Sequence, residues 1–253
     1  MSKIALITGA TAGIGEACAR LFAEQGYNLI LLARRAERLN DLAERLSSEF
    51  AVQIKAVTAD VRHKTELAQL EDLSDDWKRV DVLVNNAGLS QGLDPIQEGD
   101  TDDWDAMIDT NVKGLLYVSR IVSPWMVNRE VGHIVNIGSI AGKETYANGN
   151  VYCATKHAVD SLNKAMRIDL LPYGIKVTGI HPGAVETEFS EVRFKGDKER
   201  AKKVYEGFEP LHAQDIADAI WFAVNRPAHV NINDMLIMPT AQANTSHLIK
   251  NSH

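Results

Sequence analysis

The chain contains little cysteine: Cys18 and Cys153 are the only two among its 253 residues. Two cysteines cannot build the disulfide framework of a small secreted domain, and no group of Cys and His has the spacing of a zinc site. No window reaches the ~18 apolar residues of a membrane span. The composition therefore argues against a disulfide scaffold, a metal site and a membrane-embedded protein.

The chain also lacks a run of lysine and arginine, and its net charge is -7. An acidic protein without a basic run does not attract nucleic acid, so we expect neither nucleic acid nor membrane among its partners. The opening residues, MSKIALITGA, enter a strand-like apolar run without the longer apolar region and cleavage site of a signal peptide. We therefore expect a cytoplasmic protein.

Seven short apolar runs dominate what is present, and helix-length segments separate them. The runs are KIALIT, NLILLA, VQIKAVTA, VDVLVNNAG, GHIVNIGS, IKVTGIHPG and INDMLIMP. Near-continuous apolar strands that alternate with helices are typical of a parallel sheet covered on both faces. Neither a linker nor a repeat divides the chain. We predict one α/β domain over residues 1–253, with a seven-stranded parallel sheet.

Two segments depart from this alternation. Residues 185–208 are charged and too long for a simple connection, and long excursions in compact domains are often lids or binding loops. A solvated helical insertion explains the same pattern, so both interpretations stay open. The tail at 240–253 has a weak pattern, and we expect it to be poorly ordered or used in assembly.

A glycine-rich turn follows the first predicted strand and opens an amphipathic helix, in LITGATAGIGEACARLF. Gly9, Gly13 and Gly15 allow a sharp turn and a close approach of the backbone to a ligand. The amides and the positive dipole end of the following helix suit a pyrophosphate. In this context the turn predicts a dinucleotide site.

The second predicted strand ends at Arg34 and Arg35. NAD-binding proteins usually carry an acidic residue here, about 20 residues past the glycines, to accept hydrogen bonds from the ribose hydroxyls. A carboxylate repels a 2′-phosphate, whereas a guanidinium binds it bidentately. The two arginines therefore favour NADP over NAD.

The next two strand ends carry further candidates. Asp60, which precedes Val61, could bond the adenine amino group or cap the next helix. The small residues of VNNAG, which include Asn85, Ala87 and Gly88, would let a ribose or a flat ring approach the backbone. Its asparagines could equally tie neighbouring loops together.

Four polar residues lie on the elements that follow. Ser139 ends the fifth predicted strand, at the edge where open α/β sheets bind ligands. Tyr152 and Lys156 are four residues apart and so share one face of the next helix. Asn111 lies within an earlier helical segment, where a buried amide needs a partner.

Together these elements resemble the short-chain dehydrogenase/reductase family. TGATAGIG, NNAG, Asn111, Ser139, YCATK and PGAVET occur in the order and spacing of that family over nearly the whole chain. The resemblance implies a single Rossmann-like domain, a nicotinamide cofactor and an Asn-Ser-Tyr-Lys catalytic set. The residues and the resemblance together predict these cofactor contacts: Gly9, Thr11, Gly13, Ile14, Gly15, Arg34, Arg35, Asp60, Val61, Asn85, Ala87, Gly88, Tyr152, Lys156, Pro182, Gly183, Val185 and Thr187.

The expected chemistry depends on Tyr152. A free tyrosine has a pKa of ~10, too high for a good base near neutral pH. The adjacent Lys156 ammonium and a positive nicotinamide favour the phenolate, so we expect a lowered pKa and a general acid/base role. Ser139 would hold the substrate oxygen, and Asn111 would position a water in a proton relay to Lys156.

Within the family, NIGSIAG, GNVYCATK, TEFSEVRFKGD and HVNIND resemble the NADP-dependent 3-hydroxy acid dehydrogenases, which include the serine and allo-threonine dehydrogenases. We therefore expect a small hydroxy acid or semialdehyde as substrate, contacted by Ser139, Tyr152 and Arg193. Arg193 could clamp the substrate carboxylate bidentately, with Lys195 as a weaker candidate.

Other functions remain open. The same arginine could hold a sulfonate, as in a sulfoacetaldehyde reductase. A general carbonyl reductase for neutral ketones would need an apolar pocket instead of an anion clamp. A non-catalytic NADP-binding protein would have lost the tyrosine or the lysine, and both are present. The long apolar helices, which pack against a partner's helices in this family, predict a homotetramer.

Overall fold

The computed structural model describes residues 2–251, and within them each of the seven apolar runs contains one strand. The strands are β1 Ile4–Thr8, β2 Asn28–Ala33, β3 Ile54–Thr58, β4 Val80–Asn85, β5 His133–Ile137 and β6 Lys176–Pro182, then β7 Val185–Glu186, β8 Leu211–His212 and β9 Asp234–Ile237. Seven of them form one sheet in the order β3-β2-β1-β4-β5-β6-β9, and β7 pairs with β8 apart from it. All the pairs in the sheet are parallel, which confirms the predicted fold class.

The helices fill the segments between the strands. They are α1 Gly13–Glu24, α2 Ala36–Glu49, α3 Lys64–Glu71, α4 Thr101–Ile108, α5 Leu115–Val127, α6 Asn150–Leu170, α7 Phe189–Arg193, α8 Lys198–Tyr205 and α9 Ala213–Val224. A π-helical segment, Asp109–Gly114, joins α4 to α5, and a short 3-10 turn, Ile140–Gly142, follows β5. None of the helices within residues 2–251 combines the length and apolarity that crossing a bilayer requires.

The core consists of two apolar layers, one on each face of the sheet. Alternate side chains of a strand point to opposite faces, so Ile7 packs in a layer with Phe22 of α1, whereas its neighbour Leu6 packs in a layer with Val118 of α5. Both strand residues are fully buried. The prediction of helices on both faces of the sheet is confirmed.

The order of the strands reverses at β1. This strand pairs with β2 on one side and with β4 on the other, so the chain winds outward in opposite directions from it. The connections at the carboxyl ends of β1 and β4 therefore diverge and leave a crevice, which is where open α/β sheets bind ligands.

The two segments that broke the alternation both pack against this crevice. Residues 185–208 contain β7, α7 and α8 and form one of its walls. In the tail, Gln242 accepts a hydrogen bond from the amide of Ala184 at 2.9 Å, and the amide of Asn251 donates to Gly207 at 2.7 Å. Residues 240–251 of the tail thus contact the wall of the cleft, while residues 252–253 lie outside the described part.

Candidate active site

A cleft of about 520 Å³ lies at the carboxyl ends of the strands. It brings together most of the residues that the sequence predicts for the site. Those that line it are Gly9, Thr11, Gly13, Ile14, Arg34, Arg35, Asp60, Val61, Ala87, Gly88, Ser139, Tyr152, Lys156, Pro182, Gly183, Val185, Thr187 and Arg193. Gly15, Asn85 and Asn111 do not line the cleft, and each has a different place in the structure.

The glycine-rich turn forms the floor of the cleft. Gly9 and Gly13 have φ angles of 65° and 52°, in the left-handed region that favours glycine. A Cβ on Gly13 would lie 3.0 Å from the Thr187 side chain on the opposite wall. Gly15 acts differently: a Cβ there would lie 2.2 Å from the Gly9 carbonyl oxygen, so this glycine lets α1 pack closely beneath the turn.

Two arginines and an acid mark the end of the cleft beside β2. Arg34 Nη1 lies 3.7 Å from Asp60 Oδ2, and more than half of the Arg34 side chain is exposed. Arg35 Nη2 donates to the Thr11 carbonyl oxygen at 3.1 Å, which fixes its guanidinium beside the glycine-rich turn. The two guanidinium groups therefore place positive charge at the position where a 2′-phosphate is expected.

The Asp60 carboxylate is already engaged within the protein. It accepts hydrogen bonds from the Arg62 amide at 3.0 Å and from Arg62 Nη2 at 2.7 Å. Burial opposes the charge on Asp60, but the hydrogen bonds from Arg62 outweigh it and lower the pKa of the carboxyl. Its side chain does not cap α3, because the cap position is occupied by His63. The contact to adenine stays a prediction.

Asn85 corrects one of the predicted cofactor contacts. Its amide is buried beneath β4 and donates to Ser119 Oγ and to Asn136 Oδ1, both at 2.9 Å. The next residue, Asn86, lines the cleft instead and donates to the carbonyl oxygen of Thr8 at 2.9 Å. Side chains alternate in direction along a strand, and β4 ends at Asn85, so the first asparagine points into the fold and the second holds the glycine-rich turn.

Ser139, Tyr152 and Lys156 meet at the centre of the cleft. Ser139 Oγ accepts a hydrogen bond from the Ala141 amide at 3.1 Å, so it caps the 3-10 turn and still faces the cleft. Tyr152 and Lys156 lie one turn apart on α6, with Lys156 Nζ 6.0 Å from the centre of the Tyr152 ring. Lys156 Nζ also donates to the Ile137 carbonyl oxygen at 2.9 Å, which fixes the ammonium at the end of β5.

Among the protein's own groups, the net effect on Tyr152 is a raised pKa, whereas the lowered value was predicted for a site with a positive nicotinamide beside it. Burial raises the pKa of its phenol and nearby Tyr146 adds to the effect, while a hydrogen bond with Ser139 and the Arg193 guanidinium lower it. Burial also lowers the pKa of Lys156, to about 8. In the protein alone, the site therefore keeps Tyr152 as a protonated phenol, which is the form that donates a proton.

Asn111 lies in the π-helical segment, and its side chain is fully buried. Its Oδ1 accepts from the Leu89 amide at 2.8 Å, and its Nδ2 donates to the Leu89 carbonyl oxygen at 2.8 Å and to Thr155 Oγ1 at 3.0 Å. Both amide hydrogens are thus used within the protein. The side chain holds the loop after β4 against α6, and the relay water stays a prediction.

Arg193 ends α7 and points at the tyrosines. Its guanidinium carbon lies 5.5 Å from the centre of the Tyr152 ring, and its Nη2 donates to the Tyr146 hydroxyl. Its Nε is buried and has no hydrogen-bond partner within residues 2–251. Lys195, the weaker candidate, lies outside the cleft and pairs with Asp100 and Asp103. Arg193 is therefore the cation at the expected substrate position.

Sequence reasoning missed several residues of the cleft. Tyr146 lies six residues before Tyr152 and packs with it and with Phe189 in a small apolar cluster. The only signal in the sequence was an aromatic residue in the loop before the helix. From the tail, Gln242, Thr245 and Leu248 also line the cleft, and no pattern in the sequence indicated them.

Comparison with known proteins agrees with this geometry. The family model described as short chain dehydrogenase matches residues 3–198. The NADP-dependent 3-hydroxy acid dehydrogenase YdfG of Salmonella typhi is 48% identical over 242 residues, which are 95% of this chain and 96% of the relative. Sulfoacetaldehyde reductase 2 of Chromohalobacter salexigens is 44% identical over 245 residues, 96% of each protein.

Solved structures show the same similarity. The closed form of serine dehydrogenase complexed with NADP+ has a TM-score of 0.92 and 43% identity, over 98% of this chain and 100% of that one. The serine dehydrogenase from Escherichia coli has a TM-score of 0.82 and 41% identity, over 95% and 99% of the two chains. The fold, the cleft and these similarities lead to one conclusion: the chain belongs to the short-chain dehydrogenase family.

Proposed function

We propose that the protein is an NADP(H)-dependent oxidoreductase that transfers a hydride between the nicotinamide and a small hydroxy acid or its semialdehyde. The observation that carries the substrate class is Arg193, whose buried Nε lacks a hydrogen-bond partner in the described chain and whose guanidinium lies beside Tyr152. A buried donor without a partner costs free energy that a bound anion would recover. A carboxylate one carbon away from the reacting carbon, as in a 3-hydroxy acid, is the anion proposed for this position.

The residues at the floor of the cleft and at its adenosine end suit a dinucleotide that carries a 2′-phosphate. The left-handed glycines Gly9 and Gly13 bring the backbone to the floor of the cleft, and the N-terminus of α1 opens onto it. Arg34 and Arg35 supply guanidinium donors at the adenosine end. The relative YdfG is named as NADP-dependent, and the similar serine dehydrogenase structure is complexed with NADP+, which supports NADP over NAD. When bound, the nicotinamide supplies or accepts the hydride.

The chain's own residues manage the proton. In reduction, the Tyr152 hydroxyl donates its proton to the carbonyl oxygen as the carbon gains the hydride; in oxidation, the same oxygen accepts the proton of the substrate hydroxyl. Ser139 Oγ holds the substrate oxygen beside Tyr152. Lys156 stabilises the phenolate that the transfer leaves, and its ammonium is held in place by the Ile137 carbonyl.

A 3-hydroxy acid is the first substrate candidate, and a sulfonated aldehyde is the second. A sulfonate offers the same negative charge to Arg193, and one of the similar relatives carries the name of a sulfoacetaldehyde reductase. The two substrates differ in the shape of the anion, planar in a carboxylate and tetrahedral in a sulfonate. A general carbonyl reductase is less consistent with a partly buried Arg193 whose guanidinium lies beside Tyr152.

We also propose a homotetramer in the cytoplasm. Ile168 on α6 and Leu171 just beyond it are each more than 70% exposed, and Phe222 on α9 and Leu236 on β9 are about half exposed. Exposed apolar side chains on several elements suit contacts between subunits. The free thiols of Cys18 and Cys153 are consistent with a reducing compartment. Light scattering that finds only monomers would contradict the tetramer.

The test is an NADPH-absorbance assay in both directions. Oxidation is measured with L-serine, allo-threonine, 3-hydroxybutyrate and 3-hydroxypropionate, and reduction with malonic semialdehyde, sulfoacetaldehyde and a neutral ketone. Arg193→Ala is compared with Lys195→Ala, a matched control that removes a cation two residues away and outside the cleft. Losing charge-assisted hydrogen bonds worth about 2–3 kcal/mol should lower kcat/KM for the anions about 30- to 150-fold.

The outcomes separate the candidates. Turnover of anionic compounds, with a selective loss in Arg193→Ala and little change in Lys195→Ala, supports the anion clamp, and the best substrate decides between carboxylate and sulfonate. Turnover of the neutral ketone alone contradicts the clamp and indicates a general carbonyl reductase. Equal activity of both variants on the anions keeps the anionic substrate but contradicts the role of Arg193.

A further inference from the structure

Helix α7 connects the two ends of the cleft. It contains only five residues, Phe189–Arg193, with Glu188 immediately before it and Arg193 at its end. Glu188 contacts the end of the cleft beside β2, whereas Arg193 contacts the tyrosines at the opposite end. A displacement of one end of so short a helix moves the other end as well.

Glu188 bridges two arginines from another part of the chain. Its Oε2 lies 2.9 Å from Arg35 Nη1, and its Oε1 lies 2.8 Å from Arg38 Nη1. Hydrogen bonds from Arg35 and then Arg38 lower the pKa of Glu188, so the carboxylate is charged at neutral pH. These contacts join the wall formed by residues 185–208 to the segment that follows β2.

Arg35 cannot serve two anions equally well. Its Nε and Nη2 donate to Thr11, so an incoming phosphate would share Nη1 with Glu188, which already uses one of its two N–H groups. A 2′-phosphate and the Glu188 carboxylate would repel each other on one guanidinium. Arg38 gives Glu188 a second attachment that persists when Arg35 turns to the phosphate.

The other end of α7 is attached independently. The Arg193 carbonyl oxygen accepts a hydrogen bond from the Gly92 amide at 3.1 Å, and its side chain donates to Tyr146. The position of the Arg193 guanidinium therefore depends on where α7 lies between these contacts and Glu188. Loosening Glu188 lets α7 tilt about its Gly92 end.

We propose that Glu188 couples the two ends of the cleft: its carboxylate competes with the cofactor 2′-phosphate for Arg35, while through Arg38 it holds α7, and with it Arg193, over the substrate. This inference rests on the proposed NADP cofactor and anionic substrate. The proposal predicts that one substitution at Glu188 changes cofactor binding and substrate binding in opposite directions. Removing the charge of Glu188 improves recognition of the 2′-phosphate and weakens capture of the substrate.

The first experiment measures binding without turnover. Isothermal titration of the full-length protein with 2′,5′-ADP and with 5′-AMP isolates the 2′-phosphate, because neither probe reaches the nicotinamide end. In Glu188→Gln, the preference for 2′,5′-ADP over 5′-AMP should rise about three- to tenfold, as expected for removing one carboxylate from a partly exposed guanidinium. Glu191→Gln removes a carboxylate from the same helix that makes no ion pair within residues 2–251, and it should change nothing.

The second experiment measures substrate capture. With saturating NADP+, Glu188→Gln should raise the KM for the best anionic substrate about two- to fivefold, with a smaller change in kcat. Arg38→Gln should raise the KM similarly, and the double variant should raise it no further, because both changes break the same contact. Thermal melting of each variant confirms that it is folded.

Each outcome decides the proposal. A higher preference for 2′,5′-ADP together with a higher substrate KM supports the coupling. An unchanged or lower preference in Glu188→Gln overturns the competition, and an unchanged KM overturns the hold on Arg193. If the wild-type protein shows no preference for 2′,5′-ADP over 5′-AMP, the result overturns the proposed NADP cofactor, and the proposed competition is overturned with it.

Discussion

Lys156 is required for the proposed catalysis, but we expect it to lower the free energy of unfolding of the folded protein at neutral pH. Its ammonium is buried beneath Tyr152, and burial lowers the pKa from 10.5 to about 8. A group whose folded pKa is lower than its unfolded pKa binds protons more readily when the chain unfolds. The resulting penalty is fully present below pH 8 and disappears as the pH rises towards 10.5.

The size of the effect follows from the same shift. A difference of about 2.5 pKa units corresponds to about 3 kcal/mol of destabilisation at pH 7 and about 2 kcal/mol at pH 9. The Lys156→Met variant removes this penalty but leaves the Ile137 carbonyl without its hydrogen bond, which costs about 2 kcal/mol at either pH. The variant should therefore be inactive, about 1 kcal/mol more stable than wild type at pH 7, and equally stable at pH 9.

The assay is urea-induced unfolding followed by tryptophan fluorescence at fixed protein concentration, with wild type and variant compared at both pH values. Lys202→Met, at an exposed lysine of α8 that makes no ion pair in the described chain, is the control and should match wild type at both. A stability difference between Lys156→Met and wild type that does not change with pH would refute the argument. The predicted change with pH has one source, the desolvation of a titrating amine.

Two further predictions concern the site and its floor. Tyr152→Phe should keep NADPH binding, measured by fluorescence, and lose turnover by about 10²- to 10⁴-fold, because only the hydroxyl exchanges the proton. Retained activity would disprove the acid/base role. Gly15→Ala should cost about 1–3 kcal/mol in urea unfolding and weaken NADP+ binding, because the new Cβ would lie 2.2 Å from the Gly9 carbonyl oxygen. An unchanged unfolding midpoint would show that α1 can move away from the turn at no cost.

The asparagines of VNNAG show how much of the site can be predicted from the sequence. The motif predicted Asn85, Ala87 and Gly88 as contacts at a strand end, and β4 does end at Asn85, with Ala87 and Gly88 on the cleft. The sequence pointed to Asn85, but Asn86 is the asparagine that lines the cleft, because a shift of one residue at the end of β4 exchanges the two directions. The sequence indicated the segment, and the register of the sheet selected the residue.

Tyr152 shows a different limit. Its spacing from Lys156 predicted their shared face on α6, which the structure confirms. Among the protein's own groups, burial is the largest influence on Tyr152 and raises its pKa, and the lowering predicted with a positive nicotinamide stays a prediction. Spacing along a helix gives proximity, but it contains no information about how much water remains around the pair.

The sequence alone determined the seven strands, the helices between them, the glycine-rich turn and the arginines after β2. These features are encoded by neighbouring residues, since apolar periodicity, glycine conformation and charge at a strand end are local properties. Only the tertiary structure decided that the tail lines the cleft, that Arg193 rather than Lys195 reaches Tyr152, and that Glu188 meets Arg35 and Arg38. Those contacts join segments far apart in the chain, so they exist only once the sheet has brought the segments together.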